Sequence, residues 1–239
     1  MEFTVAAFNA HWGVGRFGDV RGVPYDVAGL VRSFDADIVA VAESWRDDDG
    51  RGILDPLRDD GYQVEHVEQM PLVLRHDRNG VRDAAPRAGI WEMAVCTRFP
   101  VLSRREISLD AQRSGPVCSR LALSVTVDVG GTPVEVIALR TSSKVWRLAP
   151  VRHLLNAKRQ LTKDTPQILA GDFNFWGPPV AMLMPGWDRP VRGRTYPSHR
   201  PHSQIDHVLV RGGIESLEGE VLAATPSDHR PVRARLRMR

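Results

Sequence analysis

An α/β fold is predicted for this 239-residue chain by three features: short apolar runs of strand length recur along it, stretches of helical period lie between them, and several of the apolar runs end in a polar residue. With 42% of its residues hydrophobic and charged positions interspersed, the chain can bury a substantial core, which argues against disorder.

Residues 3–8 read as a first strand. Val27, Leu30, Val31 and Phe34 then recur at helical spacing after Pro24, a good helix-opening residue. Residues 38–42 form a continuous apolar run, as expected of a strand buried on both faces, and the run ends at Glu43. A short helix around residues 55–60 is stopped by Gly61, and strand-like segments follow at 62–67, 91–96, 120–127 and 134–139. Gly130-Gly131, between the last two, signals a hairpin. Val151, Leu154, Leu155 and Leu161 mark a second amphipathic helix, which leads through Pro166 into an apolar strand at 167–170. Strands at 205–210 and 232–236 close the chain, and the alternation of Arg233, Arg235, Arg237 and Arg239 reads as the solvent face of an edge strand. Residues 69–89 and 177–203 read as long loops, which in a compact domain are more often functional than accidental. There is no internal repeat and no linker long enough to divide the chain, so a single domain over residues 1–239 is expected.

The amino terminus lacks a basic region followed by an apolar stretch, and no apolar run approaches the roughly 18 residues that span a bilayer, so neither a secretory signal nor a membrane span is expected. Cys96 and Cys118 lack metal-ligand spacing and read as buried small hydrophobes rather than a disulfide, which suits a reducing cytoplasm. The net charge of +3 is mildly basic and favours a polyanion, but falls short of the density of a strong nucleic-acid binder. Nothing in the sequence fixes the oligomeric state, and a monomer is consistent with it.

The chemistry concentrates at strand ends. VAAF runs into Asn9, IVAVA into Glu43, VIAL into Arg140 and QILAG into Asp172. Loops at the carboxyl ends of strands converge while the strands hold their bases rigid, so these residues can share one cleft, although each taken singly is an ordinary strand-terminal polar residue. In Gly171-Asp172-Phe173-Asn174, a glycine turn is followed by a carboxylate and an amide two residues apart, able to aim at one water as base and orienting group. Ser227-Asp228-His229 places a carboxylate and an imidazole on a tight loop. Asp206, inside a strand, needs a partner if buried, and His229 is the candidate.

FNAHWG, VAESW, GDFN, QIDHVLV and SDH occur here in an order and approximate spacing that resembles the endonuclease/exonuclease/phosphatase superfamily, the metal-dependent phosphoesterases that include deoxyribonuclease I and exonuclease III-like enzymes. AVCTRFP and TYP fit the same resemblance, which covers nearly the whole chain. It implies a four-layer α/β/β/α sandwich of two packed mixed β-sheets with a site at one end. It also implies a Mg²⁺ or Mn²⁺ cofactor, with Glu43 as metal ligand and Asn9 and Asp228 beside the ion. Asp172 matches the residue that activates the attacking water, Asn174 orients water and phosphate, and His229, steadied by Asp206, contacts the phosphate as charge builds. The expected activity is hydrolysis of a phosphate ester by in-line water attack, as a phosphodiesterase or nuclease. The alternatives are a phosphatase or phosphodiesterase of small molecules or phospholipids, or a phosphate-binding protein without turnover.

Three positions depart from the family pattern or extend it. Deoxyribonuclease-like members carry histidine where this chain has Arg140, and arginine neutralises a phosphate but is a poor general acid. Arg140 is expected either to contact the phosphate or to pair with an acid such as Glu92. His11 falls where some relatives have a second acidic ligand, and it is open to metal, phosphate or protein. Arg120 lies where relatives often have an arginine facing the cleft, with a surface salt bridge as the alternative. Trp12, Trp45 and Trp176 each follow a motif and read first as walls of the sandwich, second as a stacking rim.

Overall fold

The computed structural model describes residues 1–74, 87–110, 120–143, 148–162 and 164–239. One sheet is built from β1 (Glu2–Asn9), β2 (Ile38–Asp47), β3 (Gln63–Leu74), β4 (Arg87–Thr97), β10 (Ile214–Val221) and β11 (Val232–Met238), in the order β10-β11-β1-β2-β4-β3. The other contains β5 (Val101–Ser108), β6 (Leu121–Val129), β7 (Thr132–Arg140), β8 (Gln167–Asp172) and β9 (Asp206–Arg211), arranged in sequence order.

Both sheets are mixed, because β1 pairs with β2 and β7 with β8 in parallel. A parallel pair needs a crossover, and the two crossovers carry α1 (Val27–Ser33) and α2 (Ala149–Arg159). Asp26 caps α1, its Oδ1 accepting from the Gly29 amide at 2.8 Å, so the helix begins three residues after Pro24. Pro150 opens α2, and Lys158 and Arg159 stand in its last turn, where they complement the helix dipole.

Burial follows the pattern of the sequence. Val5, Ala7, Val125, Val136, Ile168 and Val208 belong to the core between the sheets. On the outer face of the first sheet, Phe8 and Val39 pack with Val31 of α1, with Phe34 just after its end, and with Leu57 from a short 3-10 helix, Asp55–Asp60. On the outer face of the second, Ile137 and Leu169 pack with Leu154 of α2 and with Val180 of α3 (Gly177–Leu183). The layers are therefore α/β/β/α. β1, β2, β7 and β8 are buried on both sides, which is why they appear in sequence as unbroken apolar runs. Among the described residues, no helix is long and apolar enough to cross a membrane.

Several sequence expectations are corrected. The strand at 232–236 is not an edge: β11 lies between β10 and β1, and its outward arginines pair with glutamates of neighbouring strands, Arg233 with Glu220 at 2.7 Å and Arg237 with Glu2 at 2.6 Å. The strand at 38–42 continues past Glu43 to Asp47 through a bulge. β3 and β4 take both ends of the supposed loop at 69–89, leaving 75–86 outside the described residues. The supposed loop at 177–203 opens with α3. β5 and β10 were not expected, because their alternation is carried by arginine, glutamate and serine as much as by apolar residues. Cys96 is buried and free, and Cys118 lies outside the described residues. Trp45 is a wall of the sandwich as expected, whereas Trp176 is 49% exposed and is not.

One buried group gives the fold a pH dependence. His207, on β9, is fully buried against Phe173, with Nε2 donating to the Phe175 carbonyl at 3.0 Å and Nδ1 unpaired. Burial pushes its pKa down to about 4. The unfolded chain takes up a proton near the ordinary histidine value while the folded chain resists. Its contribution is therefore intact above about pH 6.5 and is lost as pH falls toward 4, by up to roughly 3 kcal/mol. Urea melts at pH 7 and pH 4.5 measure this, and His207→Gln, which keeps a donor for Phe175, is expected to flatten that part of the profile.

Candidate active site

The two βαβ units place their strand ends at one edge of the sandwich. Asn9 pairs with Ala42, so Glu43 follows one residue beyond, while Arg140, Asp172 and Asp206 form a row across β7, β8 and β9. Local backbone distortions then aim the side chains. Val41 pairs with Ala94 and Ser44 with Glu92, so Ala42 and Glu43 together oppose Met93. Glu43 has φ of 52° in this bulge, a left-handed conformation that costs a non-glycine residue on the order of 1 kcal/mol. Gly171 has φ of 137°, and a Cβ there would stand 2.1 Å from the Leu139 carbonyl oxygen, so only glycine fits before Asp172. Asn174 is left-handed too, with φ of 46°, a conformation asparagine tolerates.

That turn folds Asn174 back onto Asp172. The Asn174 amide N donates to Asp172 Oδ1 at 2.8 Å, and its Nδ2 donates to Asp172 Oδ2 at 2.9 Å and to the Thr141 carbonyl at 3.1 Å. Asn9 Nδ2 also reaches Asp172 Oδ2, at 3.2 Å, joining the two sheets, while Asn9 Oδ1 accepts from the His11 amide at 3.0 Å. Ser227 Oγ donates to the Asn9 carbonyl at 2.7 Å, which pins the loop carrying Asp228 and His229 beside β1.

His229 and Asp206 meet: Nδ1 lies 3.0 and 2.9 Å from the two carboxylate oxygens of Asp206, and the Tyr196 ring packs on the imidazole at 5.0 Å. The His229 Nε2 faces Asp228 Oδ1 at 4.0 Å. Arg140 does not pair with Glu92, which is instead held by Arg46 at 2.8 Å. Its Nη2 sits 2.6 Å from Glu43 Oε1, its Nε is 3.7 Å from Asp172 Oδ2, and its guanidinium lies over the Trp91 ring at 5.0 Å. Arg120 lies over the same ring at 5.3 Å and forms no salt bridge among the described residues.

Glu43, Arg140, Asp172, Asn174, Asp228 and His229 line one cavity of about 340 Å³. His11 and Trp12 form part of its wall, with the His11 ring nitrogen Nδ1 bonded to the Val14 carbonyl at 2.8 Å. Arg120 does not line it. Arg16 and Tyr196 also line the cavity and were not singled out from the sequence as site residues. Arg16 sits among glycines in a segment without a chemical pattern, and only the fold of the 225–230 loop against it, through the Arg16 amide on the Pro226 carbonyl at 2.8 Å, brings it there.

The electrostatics separate the acids. Burial raises the Asp172 carboxyl above the usual range, and the nearby Asp206 charge adds to this against the pull of His229 and Arg140. Burial is the largest influence on Glu43 and works to raise it, but Arg140, His11, His229 and a hydrogen bond from Asn9 together outweigh it and hold that carboxyl low. For His229, burial favours the neutral ring, yet the Asp206 and Asp172 carboxylates prevail and lift its pKa to about 10. The imidazolium therefore has one N–H for Asp206 and another for the cavity. A raised carboxyl beside a fixed cation, facing a cavity lined by further carboxylates, can accept a proton from water and stabilise developing negative charge.

The donors for a hard cation are oxygen atoms: Glu43, Asp228 and the amide of Asn9. Asp228 Oδ1 is buried without a hydrogen-bond partner, as an atom awaiting a cation would be. Asp172, Asp206 and His229 also approach one another within 4.8 Å, but both Asp206 oxygens are engaged by the His229 imidazolium, which makes this group a poor ion site.

Comparison with known proteins agrees with this architecture. No curated protein matches the sequence. Among solved structures, the chain is similar to an endonuclease/exonuclease/phosphatase from Beutenbergia cavernae DSM 12333, with TM-score 0.73 and 24% identity over 99% of this chain and 72% of that one. It is similar to another from Bacteroides vulgatus, with TM-score 0.73 and 16% identity over 100% of both chains. A mannosyl-6-phosphatase from Bacteroides thetaiotaomicron VPI-5482 shares the fold at TM-score 0.70 and 20% identity, over 98% of this chain and 99% of that one. The model of the Endonuclease/Exonuclease/phosphatase family matches residues 6–229. This chain belongs to that family.

Proposed function

We propose that the chain is a single-domain, divalent-metal-dependent hydrolase of phosphate esters that works by in-line attack of water on a phosphodiester, nucleic acid among the candidate substrates. The observation that carries this reading is the convergence of a raised carboxyl, Asp172, and a buried imidazolium, His229, on one cavity that also holds Glu43 and Asp228. Asp172 takes the proton of the attacking water, and Asn174 fixes the carboxylate through its two hydrogen bonds. His229 donates Nε2–H to the phosphate, and Asp206 holds the ring in that orientation. Arg140 lines the cavity with a charge it cannot give up, so it would neutralise phosphate, and the leaving oxygen would take its proton from solvent water. Glu43, Asp228 and Asn9 would hold Mg²⁺ or Mn²⁺, which when bound supplies charge to a non-bridging phosphate oxygen. His11 and Arg16 line the wall of the cavity and would contact the ester outside the scissile phosphate.

Hydrolysis of bis-p-nitrophenyl phosphate and p-nitrophenyl phosphate with Mg²⁺ or Mn²⁺ tests this directly. Turnover on the diester is expected, abolished by EDTA and restored by the metal. A protein that binds phosphate yet hydrolyses neither compound with either metal is a phosphate-binding protein, and the reading fails. A panel of plasmid DNA, single-stranded oligonucleotide, sphingomyelin, inositol phosphates and sugar phosphates then identifies the substrate class.

A further inference from the structure

The side chain that departs most from the family pattern is also the one that grips the expected metal ligand. Arg140 Nη2 stands 2.6 Å from Glu43 Oε1, and Glu43 is 3% exposed, so this is a buried, charge-assisted contact. The guanidinium is steadied by the Trp91 ring at 5.0 Å. Its Nε is buried with no hydrogen-bond partner and lies 3.7 Å from Asp172 Oδ2, so the guanidinium is gripped by Glu43 at one end and stands beside a second carboxylate at the other. A carboxylate whose charge is neutralised by a fixed guanidinium has less to offer a second cation, and removing the guanidinium leaves a buried charge that a cation would satisfy.

We infer that Arg140 is a resident counter-cation that competes with the divalent ion for Glu43, setting a high metal requirement and turning from Glu43 toward the anion in the cavity when the ion is bound. This rests on the reading of Glu43 as a metal ligand. By linkage, whatever Arg140 takes from metal affinity, metal occupancy takes from the Arg140–Glu43 pair. The competition is a property of this chain, because a neutral histidine at the same strand end would leave Glu43 free.

Mn²⁺ binding without substrate, followed by the electron paramagnetic resonance signal of the free ion, measures this independently of activity. Arg140→Gln is expected to bind Mn²⁺ at least tenfold more tightly than the wild-type protein. Arg120→Gln, which removes a charge over the same tryptophan that reaches Glu43 only at longer range and without a salt bridge, is expected to change affinity less than threefold. If Arg140→Gln leaves Glu43 unpaired and fails to fold, Arg140→Lys keeps a cation nearby but lacks the planar fork, and it is expected to bind Mn²⁺ at least threefold more tightly. Unchanged or weaker Mn²⁺ binding by the folded Arg140 variants overturns the inference, as does an equal gain in Arg120→Gln. The double variant Glu43→Gln/Arg140→Gln separates the two ideas. If it keeps the tight binding of Arg140→Gln, then Glu43 is not the ligand and the underlying site assignment is what fails.

Discussion

Asp172→Asn is expected to lower kcat by at least roughly a hundredfold while the sandwich stays folded, since the change removes the group proposed to take the proton from water. The substitution is nearly isosteric, but Asp172 accepts hydrogen bonds from the Asn174 amide and from the side chains of Asn9 and Asn174. An asparagine can accept on one atom only, so a donor will face a donor and a loss of stability on the order of 1 kcal/mol is expected as well. Glu43→Gln should produce a comparable fall in kcat, with weakened response to metal as the distinguishing mark. Steady-state kinetics on the diester, with circular dichroism to establish folding, decide the matter. A well-folded variant with near-normal turnover would remove Asp172 or Glu43 from the proposed mechanism.

Asp206→Ala should damage both folding and catalysis, because Asp206 is fully buried and meets the imidazolium of His229 at 2.9 Å. Breaking a buried pair by removing one partner leaves the other uncompensated, though histidine can limit the cost by losing its proton. A loss of roughly 2 to 4 kcal/mol is therefore expected rather than the full penalty of a stranded charge. Turnover should fall by at least about tenfold, since a neutral, loosely held ring is a weaker donor to phosphate. Asp206→Asn is the instructive control: it preserves volume and a hydrogen bond to His229 but not the negative charge. If Asp206→Asn restores stability but not kcat, the charge acts on the reaction through His229. If it restores both, Asp206 is only a packing element.

Both predictions concern residues already prominent in the sequence, and that prominence has a physical origin. A strand buried on both faces must be apolar throughout, so the first polar residue after VAAF, VIAL or QILAG marks the last residue of its strand, whereas Glu43, after IVAVA, sits in a bulge inside β2. Asn9, Arg140 and Asp172 were legible for that reason, and the Asp206–His229 contact followed from the cost of burying an unpaired acid. Arg16 was not legible, because its placement depends on a loop more than 200 residues later in the chain. β5 was missed because its outward residues are charged and obscure the alternation. The chain end was misread as an edge because arginines at alternate positions report a solvent-facing side of a strand, and whether another strand lies beside it depends on which segment pairs there.

By itself, then, the sequence determined the α/β class, the core runs, the family and the set of polar residues at the strand ends, since each is written in local periodicity or short motifs. The partners of those residues were decided only in three dimensions. Arg140 was expected to meet either a phosphate or Glu92, and the bulge at Glu43, with its left-handed backbone, instead carries the Glu43 carboxylate to within 2.6 Å of it, while Arg46 takes Glu92. A bulge depends on cross-strand register, and register is set by the packing of two sheets rather than by neighbours in the chain. The charge state of the site was decided in the same way: burial and the mutual distances of Asp172, Asp206 and His229 raise one carboxyl and fix one imidazolium, and neither burial nor distance exists before the chain folds.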